Sequence, residues 1–593
     1  MKIKHLFGLA VIAAMTASCS SNEDLGTAGP GTGNNETGVG YATFTINLPS
    51  VSGSTTSGAR GTRATDAGGG AVVDPGTEDE YKVSDATALI FQKYGADEGS
   101  YKFVESVNLP VTGAWENAEE GVTKSKKLVA KLTNVDTKNT YGVLVLLNNN
   151  ITGGGVKIEL PTAGLSYKEW NDKILSPNLN ELAKTGEFYM ANAPLCESGK
   201  VTTLVTIDKN KIYATEAEAK TKTSADVYVE RGVAKMTVAD PGTKTVMDKA
   251  TSTLTNSQVT FSNWALDITN KKTFAVHNID GLSKNFPDIW TTDRFTGINN
   301  RVYWGKDPNY DNEDLKKNDA TGDSKRDDEF NFITATSEIN KDFTTTTTTN
   351  PVYCLENTFN LANMYQGQTT RVIFKATYAP KAVDATTGTI TSLAESDGTF
   401  YTIGNMKTIL KKADLETAVN KAATSVLPGC TVNYTNLETE GSHVITLADI
   451  TDGTSSAVLD GDATYGPSLK TGKDIVTEIN TKLGLKAGRP EEMVGINTYA
   501  KGVTYYIARV KHFGSLTPWN SGESYGDNNA TYLGRYGMLR NNWYELQVGN
   551  VYGPGYPGVP PVDPNQPDDE NEKYLSVSVK ILSWAKRSSK VDL

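Results

Sequence analysis

Chemistry in this chain would have to come from its histidines and cysteines. There are four of each: His5, His277, His443 and His512, and Cys19, Cys196, Cys354 and Cys430. His5 lies in a leader segment, and the other three histidines have no neighbouring Ser, Cys or His in the arrangement of a nucleophile or a zinc site. Cys196, Cys354 and Cys430 are odd in number and each more than 70 residues from the next, so they form neither a disulfide framework nor a zinc knuckle and read as small buried apolar side chains. The run DPNYDNEDLKKNDATGD at 307–323 is rich in oxygen ligands. A calcium loop starting at Asp307 would need glycine sixth and glutamate twelfth, where Asn312 and Asn318 stand, so the run reads as a solvated loop. Trp304, Trp519 and Trp543 could stack against sugars, although such residues more often lie in cores. No catalytic, cofactor-binding or metal site emerges, and the chain does not read as an enzyme.

Cys19 is different, because it ends a secretory signal. Lys2 and Lys4 precede the apolar run Leu6 to Met15, and small residues follow as far as Cys19. The run TASC at 16–19 resembles a bacterial lipobox, in which the cysteine becomes the acylated first residue, with Thr16 where an aliphatic residue usually stands. The alternative is ordinary signal cleavage beside an incidental cysteine. No other stretch approaches the ~20 apolar residues of a membrane-spanning helix.

The elements that would present a function are strands. At 593 residues the chain exceeds one hydrophobic core and should divide into two domains with tails. With 58 basic and 69 acidic residues the net charge is −11, and no Lys/Arg cluster is dense enough to neutralise a row of phosphates, so nucleic acid is not an expected partner. Abundant Gly, Thr, Asn and Tyr favour short strands and turns.

After a Gly/Asn/Ser/Thr-rich tether at 20–40, Tyr41 to Leu48 alternate, with Ala42, Phe44, Ile46 and Leu48 on one face of a half-buried strand. Residues 50–80 are again Gly/Ser/Thr-rich, contain Arg60 and Arg63, and end in the acidic DPGTEDE; they read as a flexible loop. From 64 to 240 we expect one β-sandwich, with strands at ATALIFQKY, YGVLVLLN, VTTLVTI and VYVERGVAKMTV and a short helix near 167–175. From 241 to 552 we expect a second, with strands at SQVTFSNWALDI, TRVIFKATY and VTYYIARVKHF and small helical insertions. One insertion places Ile475, Val476, Ile479 and Leu483 on a single helix face. The Thr run 344–349 reads as an exposed loop.

The Pro-rich acidic stretch 553–573 should be an extended spacer, detaching a last strand in 574–593 whose Leu575, Val577, Val579 and Ile581 alternate with Ser576, Ser578 and Lys580. Both chain ends thus carry a strand with four apolar side chains at alternate positions. Such a strand is unstable alone and must pair, and strand addition to an open sheet edge is a known recognition mode. Burying four such side chains is worth ~6 to 12 kcal/mol gross. A leader strand tethered to its own fold outcompetes another molecule's tail, so it has to be removed first; Arg60 and Arg63, in the loop behind it, suit a trypsin-like protease. Without that pairing of features, the tail reads equally well as an edge strand of its own domain.

Several runs resemble the Mfa-type (minor fimbria) fimbrillins of Bacteroidales type V pili: the Cys19 box followed by SSNED, GTRAT before DPGTEDE, FYMANAPL at 188–195, VERGVAKM at 229–236, WALDITNKKTF at 264–274, YWGKDPNY at 303–310, YCLENTF at 353–359 and RNNWYELQV at 540–548. The resemblance implies a mainly β chain of two transthyretin-like β-sandwich domains with small helical insertions and a detached C-terminal donor strand. It also implies a signal peptide at 1–18, a lipidated propeptide at 19–63, cleavage between Arg63 and Ala64, and polymerisation by donor-strand exchange. The expected partners are other copies of the chain, accessory pilus subunits and a host or bacterial surface ligand; the lipid anchor belongs to the outer-membrane precursor. A stalk subunit, which both accepts and donates a strand, is the expectation. The alternatives are a tip adhesin of the same pilus and a non-polymerising surface lipoprotein that binds glycans.

Overall fold

The computed structural model describes residues 39–48, 76–117, 124–247, 256–291, 295–296, 301–317, 320–343, 350–384, 386–404, 408–486, 494–512, 533–562, 564–565 and, for the backbone, 575–583. Among these the protein is mainly β, with few helices.

The first sandwich is built from β1 (Gly40–Asn47), β2 (Ala86–Gln92), β3 (Lys102–Leu109), β4 (Glu116–Asn117), β5 (Lys124–Leu132), β6 (Tyr141–Leu147), β7 (Met190–Asn192), β8 (Val205–Ile207) and β9 (Ala225–Arg231). The order is β3-β2-β6-β7-β9-β1-β5-β4, with β8 also on β6. β9 serves two sheets: its first half runs parallel to β1 and its second half pairs antiparallel with β7. The layers close over a core in which Phe44, Leu89, Phe91, Leu144, Leu146 and Val227 are fully buried. β6 reads YGVLVLL and is buried at every position, the continuous apolar run of a strand covered on both faces.

The run VYVERGVAKMTV, expected as one strand, is two. It breaks at Gly232 and Val233, where a Cβ on Gly232 would meet the Tyr189 ring at 2.8 Å, so only glycine permits this approach. The first sandwich therefore ends at Arg231, ahead of the expected boundary at 240, and the second begins at Ala234.

The second sandwich contains β10 (Ala234–Val238), β11 (Thr243–Thr245), β12 (Gln258–Asp267), β13 (Val352–Cys354), β14 (Arg371–Ala379), β15 (Val503–Arg509), β16 (Asn542–Val551) and β17 (Leu575–Ser583). One sheet has the order β13-β10-β16-β17 and the other β11-β12-β14-β15. Met236, Val238, Phe261, Phe374, Tyr506 and Leu546 fill the space between them. Between β14 and β15 is inserted a small unit with its own core, in which helices α1 (Lys412–Val426) and α2 (Gly472–Lys482) pack with a three-stranded sheet. Ile475 and Ile479 of α2 are buried and Val476 and Leu483 partly so, as the spacing of the apolar residues anticipates.

Three expectations are corrected here. The tail strand does not stand apart: β17 pairs antiparallel with β16 along the sheet edge, with Val577 opposite Val548, Val579 opposite Leu546 and Ile581 opposite Tyr544. A lone amphipathic strand leaves its backbone groups unpaired, and the nearest open edge satisfies them. The spacer is not wholly free either, since Tyr556 exchanges backbone hydrogen bonds with Tyr505 of β15, and Arg371 donates to the carbonyls of Pro560 and Pro561. Proline cannot donate, but its carbonyl accepts, and a buried guanidinium collects two of them.

The acidic DPGTEDE stretch is likewise not all flexible. Glu78–Glu80 forms a single turn and Glu80 is buried between the two sandwiches. Lys235 approaches its carboxylate to 2.7 Å, Tyr353 donates its hydroxyl to it at 2.5 Å, and Arg231 Nε donates to the Glu80 carbonyl at 2.6 Å. Burial pushes the carboxyl pKa up, but Lys235 and Arg231 outweigh it and hold it below the usual value. The Lys235 ammonium also lies 3.8 Å from the centre of the Trp543 ring. Glu80→Gln removes the carboxylate that neutralises the buried Lys235 ammonium, so we expect a loss of about 3–5 kcal/mol in denaturant unfolding; a change below ~1 kcal/mol would show that the cluster is not a structural joint.

Candidate functional site: a strand-filled slot

The slot is the place occupied by β1, in the interior of the first sheet. Along one side, eight consecutive residues of β1 register antiparallel with β5, from Gly40 opposite Leu132 to Asn47 opposite Ser125. Along the other, Phe44 to Asn47 run parallel to Ala225 to Tyr228 of β9. Where β9 has not yet begun, the neighbouring loop takes over: Tyr41 and Tyr213 exchange backbone hydrogen bonds at 2.8 Å, and Ser224 N donates to the Thr43 carbonyl at 2.7 Å. The leader is thus hydrogen-bonded on both edges, as a central strand is.

Its two faces are covered differently. Ala42, Phe44 and Ile46 are fully buried and Leu48 nearly so, packed into the core of the sandwich. The opposite face at Thr43 is covered by the short helix Glu216–Thr221: the Thr43 hydroxyl donates to the Ala219 carbonyl at 2.6 Å, and Thr43 N donates to the Ser224 hydroxyl at 2.9 Å. Thr45 and Thr223 share a hydroxyl contact at 3.3 Å. This covering helix, Ser224 and Tyr213 were not foreseen; nothing in a polar helix 170 residues downstream signals which strand it roofs.

Withdrawing β1 would leave β5 and β9 with facing rows of unpaired N–H and C=O groups and a trough lined by Leu128, Ala130, Leu132 and Val227. Such a gap accepts any strand with apolar residues at alternate positions, by main-chain pairing along its length and pockets at every second residue. Of the sequence-derived residues, Phe44, Ile46 and Leu48 line this slot. The backbone at Leu575, Val577, Val579 and Ile581 lies on β16 instead. Cys19, Arg60, Arg63 and Ala64 lie outside the described residues, as do Trp519 and the Thr run 344–349.

The residues considered for chemistry are structural. His277 Nδ1 contacts the Glu230 carboxylate at 2.9 Å and His512 Nδ1 the Tyr544 hydroxyl at 2.8 Å, both buried; His443 Nε2 lies 2.8 Å from the Thr439 carbonyl. Cys196, Cys354 and Cys430 are buried free thiols. Among the described residues no group of three or more His, Cys, Asp and Glu side chains is placed to hold a metal, and no helix is long and apolar enough to cross a membrane. Trp304 and Trp543 are core residues with at most 1% exposure, which withdraws them from any sugar-binding surface.

The stretch from Asp307 is not a solvated loop at its start. Asp307, Asn309 and Tyr310 are buried, with the Asp307 carboxylate accepting from Thr358 N at 2.6 Å, Asn309 N at 2.6 Å and Asn270 Nδ2 at 2.7 Å. Burial raises its pKa from 3.8 to about 7 despite these donors. Because the folded state holds this proton more tightly than the unfolded chain, the stability it confers is complete below the unfolded value and declines as pH rises from 3.8 through about 7. We expect a downward slope of roughly 1.4 kcal/mol per pH unit in that window, lost in Asp307→Asn. An unchanged slope in denaturant titrations of the variant would refute the assignment.

The fold and its site define a class: a mainly β protein of two sandwiches, with a leader strand filling an interior slot and a tail strand on an outer edge. Residues 497–590, about a sixth of the chain, match the family described as major fimbrial subunit protein type IV, fimbrillin, C-terminal. This stretch spans β15, β16 and β17. No curated protein matches the chain. A crystal structure of a fimbrial assembly protein from Parabacteroides distasonis ATCC 8503 is similar at 10% identity over 59% of this chain and 84% of that one, with a TM-score of 0.24, a likeness too distant to carry an argument. In residues 497–590 the chain is thus similar to the C-terminal region of fimbrillins, which are fimbrial subunits.

Proposed function

We propose that the chain is a stalk subunit of an Mfa-type surface fimbria that supports adhesion. It is exported as an outer-membrane lipoprotein acylated at Cys19 and cut between Arg63 and Ala64, and it polymerises by passing its tail strand into the leader slot of the next copy. The observation that carries this reading is the place of β1: a strand at the very start of the described fold is hydrogen-bonded on both edges and buried in the middle of a sheet. It joins the rest through a segment that contains Arg60 and Arg63. Cutting there separates the strand covalently from the sheet it completes, leaving a slot that the tail's alternating Leu575, Val577, Val579 and Ile581 suit. In the monomer the tail rests on β16, and donation requires it to leave that edge.

The glycan-binding alternative has lost Trp304 and Trp543 to the core. Mild trypsin applied to the purified precursor should trim it to a chain beginning at Ala64 and yield ladders that survive gentle detergent and collapse on boiling. A trimmed chain that stays monomeric would defeat the proposal.

A further inference from the structure

We propose that the incoming tail lies in the slot in the same direction and register as the leader, with Tyr574 in the place of Tyr41, and that Ser576 is the specificity-determining residue of the donor. This rests on the strand-exchange reading above and extends it to a residue-by-residue fit.

Placed side by side, Tyr41-Ala42-Thr43-Phe44-Thr45-Ile46-Asn47-Leu48 and Tyr574-Leu575-Ser576-Val577-Ser578-Val579-Lys580-Ile581 agree in chemistry at seven of eight positions. Tyrosine falls on tyrosine, apolar on apolar at four places, and hydroxyl on hydroxyl at two. The hydroxyl positions decide the matter, because any alternating strand satisfies the apolar ones. Thr43 is 1% exposed, and its hydroxyl donates to Ala219 O beneath the covering helix, an acceptor that loses its partner if the residue there has no donor. Ser576 supplies that donor from the same register position, and Ser578 stands where Thr45 meets Thr223.

The competing arrangements fail on a buried charge or on a pocket left without an apolar side chain. Reversing the tail within the slot keeps the four apolar contacts but brings Lys580 to the Thr43 position, burying an ammonium without a carboxylate. Sliding it forward by two residues brings Lys573 to the fully buried Ala42 position. Sliding it back by two leaves the polar Ser583 in the Leu48 pocket, which is 2% exposed. The leader's own register fills all four apolar pockets and keeps lysine from the Ala42 and Thr43 positions; Lys580 takes the place of Asn47, 8% exposed at the strand end, and Lys573 must turn out of the slot, because a Cβ at Gly40 would meet Ile212 at 2.4 Å.

A second observation agrees. In this register Glu572, Glu570 and Asp569 follow Tyr574 outward past the Gly40 end of the slot. Lys131 lies opposite Tyr41 there, and Lys209 and Lys211 precede its other neighbour, Tyr213; all three lysines are exposed.

Paired cysteines in the full-length chain, matured by the trypsin cut and oxidised, test the register. Ser576→Cys with Val129→Cys, and Lys580→Cys with Ser125→Cys, should give intermolecular ladders on non-reducing gels, since directly opposed residues of antiparallel strands are within disulfide reach. The swapped pairs, Ser576→Cys with Ser125→Cys and Lys580→Cys with Val129→Cys, should not. Ladders from the swapped pairs, or filaments that form with no cross-link in either expected pair, overturn the register while leaving strand exchange intact. If the unsubstituted matured chain makes no polymer, strand exchange fails and the register with it. For Ser576 itself, Ser576→Val should speed loss of subunits from diluted filaments about fivefold, the scale of one buried hydrogen bond, and Ser576→Thr should restore the rate; equal rates for all three remove the specificity role.

Discussion

A chain truncated after Lys573 is expected to form no filaments of its own and to stop those of the full-length chain. Removing residues 574–593 deletes the tail segment that repeats the leader's pattern, and with it the ~6 to 12 kcal/mol of gross apolar burial that four such side chains contribute. The slot of the first sandwich is untouched, so a truncated copy still accepts a neighbour's tail but offers none in return. Mixed in small proportion with matured full-length chain, it should shorten filaments in proportion to its mole fraction, as electron microscopy or sedimentation would show. Truncated chain that elongates normally would remove the tail from the assembly mechanism. Filaments of unchanged length in the mixture would show that the slot does not accept the tail.

The second large effect separates precursor from filament. Phe44→Ala removes a fully buried ring from the middle of β1, a change that costs about 3–5 kcal/mol in a packed core. The precursor should melt earlier, and once cut it should release its leader roughly 10²–10⁴-fold faster, since each 1.36 kcal/mol is a factor of ten. The finished filament, lacking residue 44, should be indistinguishable from wild type in thermal and detergent resistance. Val227→Asp, in the slot wall, should damage precursor and filament alike, because Val227 remains whichever strand fills the gap. A Phe44→Ala filament weaker than wild type would mean that the leader persists in the polymer.

Much of this was legible in the sequence because β1 and β17 are short alternating runs bounded by segments with little to bury, the setting in which a period of two is easiest to see. The same runs could not say where each strand lies. Pairing register and partner are long-range properties, and the tail's own pattern does not say that its backbone pairs along one edge with β16. VYVERGVAKMTV misled because both of its strands are apolar and β-prone, and the single glycine that parts them matters only through its contact with Tyr189. Glu80 and Asp307 misled for a related reason: acidic residues among Gly, Pro and Asn ordinarily face water, and the counter-charges and donors that let these two be buried come from positions up to 273 residues away in the chain. The covering of Thr43 by a helix half of whose residues are charged was invisible for want of any local pattern.

The clamp that Arg371 places on Pro560 and Pro561, continued by the close approach of Pro564 to Gly367, acts as a ruler in a filament built by strand exchange. Ten residues lie between Pro564 and Leu575, eleven Cα-to-Cα steps with a reach of at most about 40 Å when fully extended. Successive copies can be spaced along the filament axis no farther apart than this length and the body of one subunit allow. The stagger between neighbours is therefore written into where the chain leaves the surface of β15, and lengthening that stretch should loosen the axial repeat before it weakens the joint.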